Sequence, residues 1–227
     1  STDIYGLSFQ THATLSACRG VLRYYEMTGD TRLLKAVEDI FQHYMKTGMT
    51  ENYENYNWFN RPEGTEPCAV IDSFILAFGL WKNTGRLAYL ETAQNIYFNG
   101  ICYNQRPNGG FGCDICSGAH DEFLSPKAGL YEAYWCCTMR GGEGFSRAIE
   151  FSYLTSGDAI IIPFYNNSTA CFVFGDGQIT LRQETGYPVK GQVRLEVINS
   201  DVESEKTIKL YVPSWADKSS IKVYVNG

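Results

Sequence analysis

The spacing of apolar residues changes once along this sequence, near residue 158, and that change limits what the chain can fold into. Upstream, apolar side chains recur at three- and four-residue steps through 17–27, 33–44, 69–81, 87–103 and 144–154, the period of helices with one buried face. Downstream the period is two, in Val-, Ile-, Tyr- and Thr-rich runs at 159–165, 170–174, 179–184, 193–198, 207–212 and 221–225, which predicts strands. Asn166-Asn167, Gly175-Asp176-Gly177, Tyr187-Pro188 and Pro213-Ser214 separate those runs as turns. The expected division is a helical part, 1–157, and a β part, 158–227, the latter an antiparallel β-sandwich or a portion of one. Three helices are punctuated alike, at Thr28-Gly29-Asp30, Thr84-Gly85-Arg86 and Ser156-Gly157-Asp158, each glycine suited to a left-handed C-cap. Gly29 and Gly85 lie 56 positions apart, and a similar amphipathic helix follows each. A helical-hairpin repeat of that length predicts an α/α toroid. Asn226-Gly227 reads as a hairpin turn with no strand behind it, so the sandwich is expected to be incomplete.

With 44% hydrophobic residues the chain can bury a core, which excludes disorder for most of its length. A formal charge of -6 supplies no basic stripe for phosphate contacts, so nucleic acid is not an expected partner. No apolar run reaches the roughly 18 residues of a membrane span. The first residues, Ser1-Thr2-Asp3, lack a basic-then-apolar signal, which implies a cytoplasmic protein or one whose leader has been removed. Sixteen Tyr and four Trp suit ligands that offer both C–H faces and hydroxyls, sugars among them, although a large core uses the same residues.

Eight cysteines fit neither a small disulfide scaffold nor an ordinary cytosolic enzyme. Cys18, Cys102 and Cys171 stand singly in apolar surroundings and read as small buried hydrophobes. The others offer metal chemistry. Glu66-Pro67-Cys68 places a carboxylate and a thiol at a helix entry, and Cys136-Cys137 places two more thiols before another helix. Together they make one tetrahedral zinc set. Cys113-Asp114-Ile115-Cys116 with Cys136 and Cys137 makes a second, all-sulfur set, and spacing alone leaves the two open. Adjacent cysteines rarely pair with each other, because the Cα separation across one trans peptide is shorter than an unstrained disulfide needs. Glu51 and Glu54 lie in a stretch crowded with aromatics and amides, including Tyr53 and Trp58, that could orient a sugar beside an acid. His12 begins a helix, whereas His43 and His120 have no evident partner in the sequence. Gly141-Gly142-Glu143-Gly144 lacks the Lys-Ser/Thr ending and preceding strand of a phosphate loop.

These pieces, in this order, resemble glycoside hydrolase family 127, whose type activity is β-L-arabinofuranosidase. The resemblance rests on His12, Tyr24-Tyr25-Glu26-Met27-Thr28-Gly29-Asp30, Gly48 to Glu51, Thr65-Glu66-Pro67-Cys68 and Cys136-Cys137. Thr185-Gly186-Tyr187-Pro188, Val212-Pro213-Ser214-Trp215 and Val225-Asn226-Gly227 extend it through the β part. It implies part of an (α/α)6 barrel, about its second half, followed by the sandwich. It also implies zinc held by Glu66, Cys68, Cys136 and Cys137, with Cys136 as nucleophile of a retaining hydrolase. Glu51 is the implied acid/base, with Glu54 in reserve, and His12, joined by Tyr53 and Trp58, would contact the sugar. The implied substrate is a terminal furanoside such as β-L-arabinofuranose on a plant-type glycan. The competing reading is a catalytically silent carbohydrate-binding or scaffold protein with a structural zinc. Pro67 and the Gly109-Gly110-Phe111-Gly112-Cys113 loop depart from the family pattern, which marks a divergent branch.

Overall fold

The computed structural model describes residues 9–60, 64–115, 125–126 and 136–226. The chain divides into two compact units, residues 1–147 and 148–227.

The first unit is built of helical hairpins. Helix α1 (Thr11–Thr28) ends at Gly29, whose φ of 71° places it in the left-handed region, with its N–H on the Tyr25 carbonyl. Helix α2 (Thr31–Thr47) starts on Asp30, whose carboxylate accepts the Arg32 N–H. The second hairpin repeats the device: α3 (Pro67–Thr84) ends at Gly85, φ 70°, and α4 (Leu87–Asn95) follows. Proline at the first turn of α3 removes an N–H that would have had no helical partner. Helix α3 is buried nearly all round, from Pro67 to Phe74 without a break. It is the central helix, flanked by α1 and α4, while α1 also packs on α2. Tyr89 joins the outer helices, donating to Glu38 at 2.9 Å. Helix α4 widens into a π-helical stretch, Ile96–Ile101, and one further turn, α5 (Cys102–Asn104). Gly100 lies in that stretch because a Cβ there would approach the Tyr53 carbonyl oxygen to 2.5 Å. A two-residue ladder pairs β1 (Asp114–Ile115) with β2 (Ser125–Pro126).

Helix α6 (Cys136–Glu150) carries three glycines, two of which have a packing reason. A Cβ on Gly141 would fall inside the Phe111 ring, and one on Gly144 would collide with the Ile71 side chain. The glycine run that superficially suggests a phosphate loop is therefore a close-packing face of a helix.

The second unit contains two three-stranded sheets. Strands β5 (Ser168–Phe174), β6 (Gly177–Thr185) and β7 (Val193–Ser200) form an antiparallel meander in sequence order. Strands β3 (Leu154–Ser156), β4 (Ala159–Ile162) and β8 (Thr207–Leu210) form the other sheet. Ile160 and Ile162 of one sheet meet Phe172, Ile179 and Leu181 of the other in a single core. Strand β6 alternates as the two-residue period requires, with Ile179, Leu181 and Gln183 buried and Arg182 and Glu184 exposed.

Several expectations are corrected. Strand β8 pairs with β4 in parallel, not antiparallel. Helix α6 stops at Glu150, and Leu154 belongs to β3. Gly157 is no helix cap: it takes φ 57° in the turn of the β3–β4 hairpin, where Ser156 pairs with Ala159. The run 221–225 forms no strand; Val223, Tyr224 and Val225 are exposed, and a 3-10 turn, Lys218–Ser220, precedes them. Alternation predicts a strand only where a neighbouring edge is present to complete its hydrogen bonds.

Gly141→Ala should lower stability by about 1–3 kcal/mol through overpacking against Phe111. Gly142→Ala, with nothing within 4 Å of its Cβ, should raise it by about 0.5–1 kcal/mol. Urea unfolding of the two variants checks this opposition of sign.

Candidate metal centre and active site

Three helix starts supply the site. Cys68 is the second residue of α3, and Cys136 and Cys137 are the first two of α6. Their sulfurs lie within 4.8 Å of one another, with Cys68 and Cys136 at 3.5 Å. Cys68 and Cys137 are buried, and Cys136 is exposed. The Cys137 thiol feels opposed influences. A hydrogen bond with Cys113 pulls its pKa down, but the bond to Cys68, burial, and the charges of Cys68 and Cys136 push it up, and the upward influences win. Three thiolates this close repel one another, so only a cation among them would hold all three ionised. Soft sulfur donors at this spacing fit zinc, and the trio is the only such group among the described residues.

Glu66 is the N-cap residue of α3, yet its carboxylate does not cap the helix. It instead accepts from Gln10 Nε2 at 3.3 Å, with Cys68 as a further partner. Burial raises its pKa against the lowering influence of nearby His12 and Gln10. Glu66 stands beside the sulfur trio but outside the 4.8 Å group. His12, in the first turn of α1, holds Asp72 Oδ2 through Nδ1 at 2.6 Å. Asp72 is fully buried and also accepts from Arg19 at 2.6 Å and from Arg140. Glu143 completes the group, accepting from Arg19 at 3.1 Å and from Arg140. The Asp72 bond is the largest influence on His12 and raises its pKa against the opposing effect of burial.

The two candidate acids differ in surroundings. Glu51 is exposed in a turn. Glu54 is fully buried, accepting from Asn104 Nδ2 at 2.5 Å and Asn52 Nδ2 at 3.2 Å. Burial raises its pKa, more than the two amides lower it. Asn104 also donates to Asp114 at 3.3 Å, and Arg106 pairs with Asp114 at 2.8 Å. Asp114 in turn is tied by backbone to Thr65, the residue before Glu66. Tyr53 is partly exposed with φ 65°, an unusual left-handed conformation for a residue with a side chain. Trp58 is exposed and forms an isolated bridge with Gln10, two residues before His12.

Elsewhere the sequence readings need adjustment. Cys18 is buried, its thiol pushed up to about 11 by desolvation, but Cys102 and Cys171 lie at the surface. His43 stacks on Phe59 at 5.6 Å and bonds Thr47. Cys116 and His120 lie outside the described residues. Sequence reasoning missed the Asp72 group and the Glu54–Asn104–Asp114 group. The first had a signal, because Asp72 interrupts an apolar helix, Ala69-Val70-Ile71-Asp72-Ser73-Phe74.

Helical hairpins carry clustered thiols at their helix starts, and a β unit follows them in the sequence. A GH127 β-L-arabinofuranosidase from Geobacillus stearothermophilus T6 superposes with a TM-score of 0.75 at 19% identity, over 92% of this chain and 36% of that one. A second GH127 β-arabinofuranosidase gives 0.75 at 20% identity, over 92% and 34%. A third structure, described as a glycoside hydrolase, gives 0.78 at 18%, over 92% and 40%. The chain therefore spans well under half the length of these enzymes. No curated protein sequence matches it significantly. The profile of the GH127 β-L-arabinofuranosidase catalytic domain matches residues 4–149, and that of the GH127 middle domain matches 159–227. The chain belongs to the GH127 β-L-arabinofuranosidase family.

Two measurements check the site. Elemental analysis should show Glu66→Ala and Cys68→Ala each losing most of about one bound zinc per chain; full retention in both would move the metal elsewhere. For His12, whose folded pKa is raised, the stabilisation is fully present below its unfolded value of about 6.5 and is lost as pH rises through the folded value. The thermal midpoint of the unaltered protein should thus fall more than that of His12→Gln as pH rises from about 6 to about 8. Parallel curves would show that the His12–Asp72 contact is not charge-assisted.

Proposed function

We propose that this chain forms part of a retaining glycoside hydrolase that cleaves a terminal furanoside such as β-L-arabinofuranose from a plant-type glycan. The observation that carries the reading is the sulfur trio at the starts of α3 and α6, one member exposed, within a GH127 catalytic domain. Glu66, Cys68, Cys136 and Cys137 would hold zinc, which when bound keeps the thiols ionised at neutral pH.

Cys136 acts as the nucleophile. Its thiolate attacks the anomeric carbon, an S–C bond forms as the C–O bond to the aglycone breaks, and an acid gives the departing oxygen its proton. The resulting carboxylate then takes a proton from water, which displaces Cys136 and restores the original anomeric configuration. The acid must reach the departing oxygen, which the exposed Glu51 can do, whereas Glu54 is fully buried with both carboxylate oxygens held by the Asn104 and Asn52 amides. We therefore assign the acid/base role to Glu51, with Glu54 in reserve. His12 binds a sugar hydroxyl while Asp72 holds its ring, and Tyr53 and Trp58 offer aromatic faces to the furanose.

Hydrolysis of 4-nitrophenyl β-L-arabinofuranoside tests this. Cys136→Ser should abolish turnover while the protein stays folded. Glu51→Gln should lower kcat by about 10²–10⁴-fold, the usual worth of general acid–base catalysis, and Glu54→Gln by no more than a few-fold. The reverse order would pass the role to Glu54, and unchanged activity in Cys136→Ser would remove the nucleophile assignment. One zinc with no hydrolysis of any furanoside by the intact protein would favour the silent scaffold.

A further inference from the structure

Cys113 has no part in the ligand set above, yet the fold holds it at the metal centre. Two clamps fix its segment. The Phe111 N–H donates to Thr138 Oγ1 at 3.1 Å, and Thr138 directly follows Cys137. On the other side the Asp114 N–H donates to Thr65 Oγ1 at 2.9 Å, and the Asp114 carbonyl accepts the Thr65 N–H at 2.9 Å. Thr65 lies three residues before Cys68. Arg106 adds a third restraint, donating to the Cys113 carbonyl at 3.2 Å. Cys113 is thus anchored between the two segments that carry the sulfur trio. Its side chain hydrogen-bonds Cys137 but lies outside the group whose sulfurs are mutually within 4.8 Å. It is half-buried, and one staggered step of χ1 moves its sulfur without disturbing the clamped backbone.

We propose that Cys113 is a reserve sulfur donor of this centre, able to join Glu66, Cys68 and Cys137 around a soft divalent cation such as zinc when the Cys136 sulfur is engaged elsewhere. The inference rests on the metal-centre part of the proposed function and adds a residue that the GH127 resemblance does not assign. A tetrahedral zinc site tolerates exchange of one thiolate for another with little change in ligand character, whereas loss of a sulfur with no replacement weakens it. The exposed member of the trio can then leave the cation while its coordination stays complete.

Zinc content and affinity, read by elemental analysis and by competition with a chromophoric chelator, test the idea on the intact protein. Cys136→Ala should retain about one zinc, and Cys136→Ala combined with Cys113→Ser should bind at least tenfold more weakly than Cys136→Ala alone. In zinc-loaded Cys136→Ala, Cys113 should resist iodoacetamide and become reactive when the metal is chelated, as read by mass spectrometry; this second measurement needs no double variant to fold. Equal affinities in the single and double variants, or a Cys113 thiol that reacts at the same rate with and without zinc, would overturn the proposal. Either result, when the unaltered protein binds zinc and hydrolyses arabinofuranoside, overturns this inference alone. An unaltered protein that binds no zinc overturns both.

Discussion

A buried carboxylate organises the helical unit. Asp72, on α3, has no exposed surface, and its partners come from two other helices: His12 and Arg19 on α1, and Arg140 on α6. Left unpaired, such a charge would cost several kcal/mol; paired, it adds little over an apolar replacement. Its effect here is on register. The rotation and height of α1 and α6 that bring both guanidiniums and the imidazole onto one carboxylate also align the starts of α1, α3 and α6. Those starts carry His12, Cys68 and the Cys136–Cys137 pair. Glu143, one turn along α6 from Arg140 and bonded to both arginines, balances the charge so that the group is close to neutral.

The site is two environments on one frame. Around the sulfurs, crowding of like groups opposes ionisation, and the three donors fit a cation. Around Glu54, desolvation raises the carboxyl pKa while hydrogen bonds from Asn104 and Asn52 lower it. Both arrangements pass through the short stretch from Phe111 to Asp114, which touches Thr138, Thr65 and Asn104 within four residues.

Much of this was legible in the sequence where one residue type has one conformational use. Gly29 and Gly85 mark helix ends because only a residue without Cβ takes that backbone freely, and both do. Cys136-Cys137 is informative because thiols cannot easily pair across a single peptide, and Glu66-Pro67-Cys68 because it sets a carboxylate and a thiol at a helix entry. Legibility failed where the outcome depends on a distant partner. Gly157 fits a hairpin as well as it fits a helix end, and Leu154 fits either period. The run 221–225 alternates like a strand and is not one, and no strand among the described residues pairs with it. Glu51 and Glu54 are equivalent as letters, and only folding buries one of them. Cys113 contacts Cys137, both members of the all-sulfur set, and Cys116 of that set lies outside the described residues.

The parallel pairing of β4 with β8 has a consequence for how the second unit assembles. Ala159 meets Thr207, so everything between them, including the whole β5–β6–β7 meander, forms one closed excursion of chain. The meander's hairpins can close locally, but the β4–β8 ladder waits on the largest loop in the unit, with its attendant entropy. The junction is fastened where the excursion closes, by the Thr207 N–H on the Asp158 carbonyl at 3.0 Å and by Lys206 Nζ between Asp158 and Asp176. Assembly of this unit therefore runs from hairpins to ladder, and its slow step is the return of residues 206–210 to the strand that began it.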